Sequence, residues 1–115
     1  MEVETFLACR AVAQVSGRHT LVDVGVTFAA FEVVAFAEAV GIRAGSFVQI
    51  RLLGPDGEEV DASPQELVPM NMNYLQVAYA LNNWASTVGP YRLQFLVDED
   101  IARERDILFG EQSNG

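Results

Sequence analysis

Lysine is absent from this sequence, and cysteine, histidine and tryptophan occur once each. Without lysine there is no side-chain amine to act as a nucleophile or to form a Schiff base. A single cysteine, Cys9, makes no internal disulfide, so the stapled scaffolds of small secreted domains do not apply and a reducing, cytoplasmic setting is expected. All seven basic residues are arginines, at 10, 18, 43, 51, 92, 103 and 105, and sixteen acids oppose them, giving a formal net charge of −9. A chain of that charge repels phosphate backbones and anionic headgroups, so neither nucleic acid nor a membrane surface is an expected partner.

Long apolar runs are also missing. The longest stretch without charge, Leu67 to Tyr91, is interrupted by Pro69, four asparagines, Gln76 and Pro90, which excludes a helical membrane span. Phe6-Leu7-Ala8-Cys9 has the outline of a lipoprotein cleavage box, but no basic start or long apolar core precedes it, and it is not expected to act as one. Acidity is uneven. Residues 1–55 carry five acids against four arginines, and residues 56–115 carry eleven against three.

What is present is a domain-sized amount of apolar sequence. The chain has 115 residues, half of them apolar and a fifth charged, enough for one core and too apolar for disorder. A single domain over residues 1–110 and a flexible tail over 111–115 are expected.

Apolar residues recur with a period of two, and turn signals arrive every 8 to 15 residues, the pattern of antiparallel strands. Phe6 to Val15 reads as one strand, closed by Ser16-Gly17-Arg18. Val22, Val24, Val26 and Phe28 alternate with Asp23, Gly25 and Thr27 in the cleanest strand pattern of the chain. Between Phe31 and Val40, alanine and glutamate favour helix while Val33, Val34 and Phe36 favour strand. Strand is preferred, because Val34, Phe36 and Val40 share a face and an alternating strand follows.

Phe47 to Leu53 alternates Val48, Ile50 and Leu52 with Gln49 and Arg51, and Pro55-Asp56-Gly57 then turns the chain into a short acidic edge strand, Glu58 to Asp61. Leu75, Val77, Tyr79 and Leu81 face one way, and Tyr74, Gln76, Ala78 and Ala80 the other. Tyr91, Leu93, Phe95 and Val97 alternate with Arg92 and Gln94, and Asp98-Glu99-Asp100 leads into a last strand, Ile101 to Phe109. Seven or eight strands without a long helix predict an all-β antiparallel two-sheet β-sandwich.

The strand opening Gly89-Pro90-Tyr91-Arg92-Leu93-Gln94-Phe95, together with the crossover Leu81 to Val88, resembles the corresponding part of immunoglobulin-like and fibronectin-like sandwiches. That resemblance implies a packed corner role for Tyr91. It departs from the immunoglobulin pattern in having no cysteine pair and in placing Trp84 late, in the crossover. More broadly, Phe6-Leu7-Ala8-Cys9-Arg10, Gly17-Arg18-His19-Thr20-Leu21, Leu53-Gly54-Pro55-Asp56-Gly57 and Gly89-Pro90-Tyr91 look like a family of small uncharacterised bacterial β-sandwich proteins. This likeness implies a fold and a bacterial cytoplasmic origin and supplies no catalytic residues.

Reactive constellations are few. Cys9 and His19 offer a thiol and a base on neighbouring strands, out of register and without a third orienting group, and are read as packing and solvated residues. Asp98-Glu99-Asp100 and the group Asp56, Glu58, Glu59, Asp61 lack the spacing of a calcium loop and are read as hairpin turns. Gly41, Gly45 and Gly54 make no phosphate cradle, since no lysine follows them. No enzyme, cofactor or metal is expected. The positive signal is the uncharged segment Leu67 to Tyr91, which must touch solvent and offers aromatics and amides, the composition of interface centres. Tyr74, Tyr79, Asn82 and Trp84 are the candidate partner-binding residues. The expected function is a protein interaction or self-assembly module, most readily a homo-oligomer. The alternative is a small-ligand or carbohydrate binder using the aromatics of the same segment.

Overall fold

A computed structural model describes residues 1–9, 11–15, 18–22, 27–29, 33–81 and 89–110. The strands in chain order are β1 (Glu2–Cys9), β2 (Ala11–Val15), β3 (Arg18–Val22), β4 (Thr27–Ala29), β5 (Val34–Ile42), β6 (Phe47–Leu53), β7 (Glu59–Ala62), β8 (Glu66–Leu67), β9 (Met72–Ala80), β10 (Gly89–Val97) and β11 (Asp100–Gly110). Two sheets pack together. One has the order β1-β5-β9, and the other β4-β11-β10-β6-β7 with β8 also on β6. Every pairing is antiparallel except that of β4 with β11, and β2 with β3 forms a separate hairpin. The all-β, two-sheet expectation is met.

Local sequence explains most boundaries. In β6 the alternation foreseen above holds, with Val48, Ile50 and Leu52 buried and Gln49, Arg51 and Leu53 on the outer face, half-buried. Gly57 takes a φ of +84°, the left-handed conformation that favours glycine, and its amide donates to the Gly54 carbonyl at 2.9 Å to close the turn into β7. Asp98 and Glu99 turn the chain from β10 into β11 with φ of 53° and 69°.

One expectation is revised. The stretch Phe6 to Val15 is not one strand, because Cys9 pairs with Val34, the first residue of β5, and beyond it the chain pairs with β3 instead. β5 is a strand, as expected, and Val34, Phe36 and Val40 share a face; the face turned to the core is the other one, with Ala35, Ala37 and Ala39 all fully buried. The small row makes room for the rings of Phe6 and Phe95, whose centroids stand 6.0 Å apart between the sheets. The pattern Val22 to Phe28 is described only at its ends, in β3 and β4, and Asp23 to Val26 lie outside the described residues.

Phe6, Ile42, Ile50, Leu52, Leu93 and Phe95 are among the largest fully buried side chains. Around them lie Val3, Ala8, Val48, Tyr91 and Ile107 in one continuous core between the sheets. Arg103 and Arg105 on β11 reach across to the other sheet, donating to the carbonyls of Val3 (2.8 Å) and Phe6 (2.7 Å). On the outer face of the larger sheet, Gln94 is buried beneath Arg51, which donates to its Oε1 from Nε (2.9 Å) and Nη2 (2.5 Å). The Gln94 amide in turn donates to Glu104 Oε2 at 2.5 Å.

Candidate functional site

Among the described residues the two sheets end laterally at four strands, β1, β9, β4 and β7, and these edges differ. At β1 the chain carries Glu2 and Glu4, and two outward carbonyls are occupied by Arg103 and Arg105. At β7 the edge is four residues long and bears Glu59 and Asp61. At β4 the described residues are Thr27–Ala29, which pair in parallel with β11. Short or charged edges are the usual protection against pairing with another chain. The fourth edge, β9, has none of it. It runs nine residues, Met-Asn-Tyr-Leu-Gln-Val-Ala-Tyr-Ala, without a charge or a proline. Among the described residues no strand pairs beyond it.

Register shows which backbone groups of β9 are open. Val34 pairs with Ala80, and one step further the Leu81 amide donates to the Val33 carbonyl at 3.0 Å. In an antiparallel ladder, pairs that exchange hydrogen bonds alternate with pairs that do not. Leu75, Val77, Tyr79 and Leu81 therefore bond to β5, while Met72, Tyr74, Gln76, Ala78 and Ala80 direct their N–H and C=O groups away from it.

The predicted aromatics divide between the two faces of this strand. Tyr79 points inward and packs against the core, and its hydroxyl lies 3.1 Å from Asp61 Oδ1 and 3.2 Å from the Ala62 carbonyl oxygen on β7. Tyr74 points outward and is 44% exposed, donating its hydroxyl hydrogen to Glu38 Oε2 on β5. Gln76, two residues on, donates from Nε2 to the Tyr74 hydroxyl oxygen at 2.7 Å. Loss of solvent around the ring and then the Glu38 carboxylate raise the Tyr74 hydroxyl above the ordinary phenol range, so it is a neutral donor at physiological pH. Asn82 and Trp84 lie outside the described residues.

The inward row of β9 is incompletely covered: Leu75, Val77 and Tyr79 are half-buried although they face the core. Sequence reasoning overlooked a second exposed apolar pair, Phe47 and Leu67, which face each other across β6 and β8. Their signal was faint, since Phe47 opens an otherwise ordinary strand and Leu67 sits in a strand of two residues.

A hollow of about 370 Å³ lies at the other end of β6, walled by the turn from Leu53 to Gly57 and by Pro90, Tyr91, Arg92 and Asp106. Its cation is already engaged, because Arg92 Nε sits 3.5 Å from Glu104 and 3.6 Å from Asp106. Tyr91 is buried there, and burial, followed by the field of Asp56, raises its hydroxyl pKa.

The residues weighed for catalysis lie on different strands. Cys9 is fully buried in β1, its thiol donating to the Val34 carbonyl at 3.6 Å, while His19 belongs to β3, opposite Gln14. Among the described residues no three His, Cys, Asp or Glu side chains gather as a metal site. Nor is any helix among them long and apolar enough to cross a membrane. No protein-family model matches the chain, and no curated protein is similar to it.

Proposed function

We propose that this protein is a non-catalytic interaction module that associates with copies of itself through the uncharged segment that contains β9. One observation carries the reading: a nine-residue edge strand with five residues of outward backbone, uncharged in a chain of net charge −9. Two such acidic bodies repel at most of their surface, and an uncharged edge is where they meet without bringing carboxylates together. Unpaired backbone supplies affinity and the exposed Tyr74 supplies contact area.

Sedimentation equilibrium of the wild-type chain against a Tyr74→Asp, Trp84→Ala double variant tests it. The expected result is a wild-type mass above that of one chain, reduced in the variant. Identical monomers, with no partner recovered on an immobilised wild-type column, overturn it.

A second reading is supported by the hollow beside Pro55. Its volume falls within the range of small-molecule sites, and Tyr91, Pro55 and Pro90 give it apolar walls. A carbohydrate or other neutral ligand suits it better than an anion, since Arg92 already has two carboxylates. Thermal shift with a panel of neutral sugars separates the readings: stabilisation lost in Tyr91→Ala favours a ligand site. Kinship with immunoglobulin-like bacterial sandwiches belongs to the same proposal, supported by the burial of Tyr91 at the start of β10.

A further inference from the structure

We infer that two copies join by antiparallel pairing of β9 with β9 about a two-fold axis at Gln76, making one continuous six-stranded sheet in the order β1-β5-β9-β9-β5-β1. This rests on the self-association reading and adds to it the strand, the register and the symmetry.

The register follows from the open groups. Only even-numbered residues of β9 have outward N–H and C=O groups, so a second β9 must place even residues opposite even residues. Of the registers that satisfy this, centring on Gln76 alone pairs the strand over its full length, with Met72 facing Ala80, Tyr74 facing Ala78 and Gln76 facing its twin. All five outward residues then find partners, for about ten backbone hydrogen bonds at two per bonded pair.

The side chains fit this register. On the outer face each exposed Tyr74 meets the small, exposed Ala78 of the other copy, which leaves room for the ring. At the axis each Gln76 spends one amide hydrogen on Tyr74 within its own chain, and the amide's other hydrogen and its oxygen remain for the twin. On the inner face Leu75 of one copy stands opposite Val77 of the other. Both are half-buried in the single chain, and pairing covers them. No charged side chain enters the seam; the nearest, Glu38, is one strand back and accepts from Tyr74.

The symmetry provides the test, because a residue on a two-fold axis faces itself. In this register the two Gln76 Cα atoms stand about 5.5 Å apart, within disulfide reach, whereas the two Tyr74 Cα atoms are offset by four residues, about 13 Å. Cys9 is fully buried and does not compete. Gln76→Cys, Tyr74→Cys and the double variant Tyr74→Cys, Ala78→Cys are oxidised with copper phenanthroline in air, run on non-reducing gels and compared with wild-type sedimentation. Gln76→Cys and the double variant are expected to give covalent dimers, and Tyr74→Cys alone to stay single. Ala78→Lys, which sets an ammonium against the facing Tyr74, is expected to halve the sedimenting mass with circular dichroism unchanged. A wild-type dimer without cross-linking in Gln76→Cys and in the double variant, or with equal cross-linking through Tyr74→Cys alone, overturns the β9 register and leaves self-association standing. A wild-type monomer at high micromolar concentration overturns both.

Discussion

Arg105 donates from Nε to the backbone carbonyl of Phe6, 2.7 Å away, and so ties the last strand of one sheet to the first strand of the other. Arg103 makes the equivalent bond to Val3. Alternation turns both arginines toward the partner sheet, and their length lets the guanidinium reach past the core to the open edge of β1. A charge-assisted bond to a carbonyl is worth roughly 1.5–3 kcal/mol when shielded and less at a solvent-facing edge. Arg105→Ala is expected to lower unfolding free energy by about 1 kcal/mol in urea titration. Adding Arg103→Ala lowers it again by a similar amount. An unchanged midpoint in the double variant would show that the bonds do not hold the sheets together.

Ala37 sits directly across from Phe6 in the β1–β5 register and is fully buried. Its methyl leaves the space that the Phe6 and Phe95 rings fill, so a larger side chain has nowhere to go without moving a ring or a sheet. Ala37→Leu is expected to cost about 1–3 kcal/mol by overpacking, measured by chemical denaturation. The same substitution at Ala44, exposed in the turn before β6, is expected to change stability by less than about 0.5 kcal/mol. Equal effects at the two positions would place the core on the wrong face of β5.

These two sites mark how far the sequence can be read. Val48, Ile50 and Leu52 alternate with polar residues, so β6 announces both its strand and its buried face. In β5 the row of Val34, Phe36 and Val40 carries the larger apolar side chains but also Glu38, while Ala35, Ala37 and Ala39 make the other row, so size and charge point to opposite faces; the Phe6 and Phe95 rings, which come from elsewhere in the chain, fill the space that the alanines leave. Gln94 reads as an outer residue and is one, yet it is buried because Arg51 and Glu104, 43 and 10 residues away, close over it. At the candidate edge, parity already separates Tyr74 from Tyr79. That β9 is an edge at all depends on sheet order, which no local pattern encodes.

Glu99 holds a φ of 69° in the turn between β10 and β11, a left-handed conformation that a side chain disfavours by roughly 1–2 kcal/mol. Asp98 before it, at φ 53°, is anchored, because the Phe47 amide donates to its Oδ1 at 2.9 Å and its own amide donates to the Phe47 carbonyl at 2.8 Å. Glu99→Gly gives an Asp-Gly pair suited to this turn. The expected gain is about 1 kcal/mol, seen as a rise of roughly 4 °C in melting temperature. A fall would mean that the Glu99 side chain contributes more than its backbone conformation costs.

Tyr91 gives the fold an alkaline limit. Burial, and to a smaller extent the charge of Asp56, raises its pKa above the unfolded value near 10, so the folded chain holds this proton more tightly than the unfolded chain. The stabilisation is fully present below pH 10 and is lost as pH climbs through the folded value. Urea titrations between pH 8 and 11.5 are expected to show wild-type stability declining above pH 10, by at most about 1.4 kcal/mol per pH unit for this one proton. Tyr91→Phe should flatten much of the decline, and the remainder belongs in part to Tyr74, whose pKa is raised too. Asp56→Asn should remove only a minor share, since burial is the larger cause. Parallel curves for wild type and Tyr91→Phe would show that the buried hydroxyl does not set this limit.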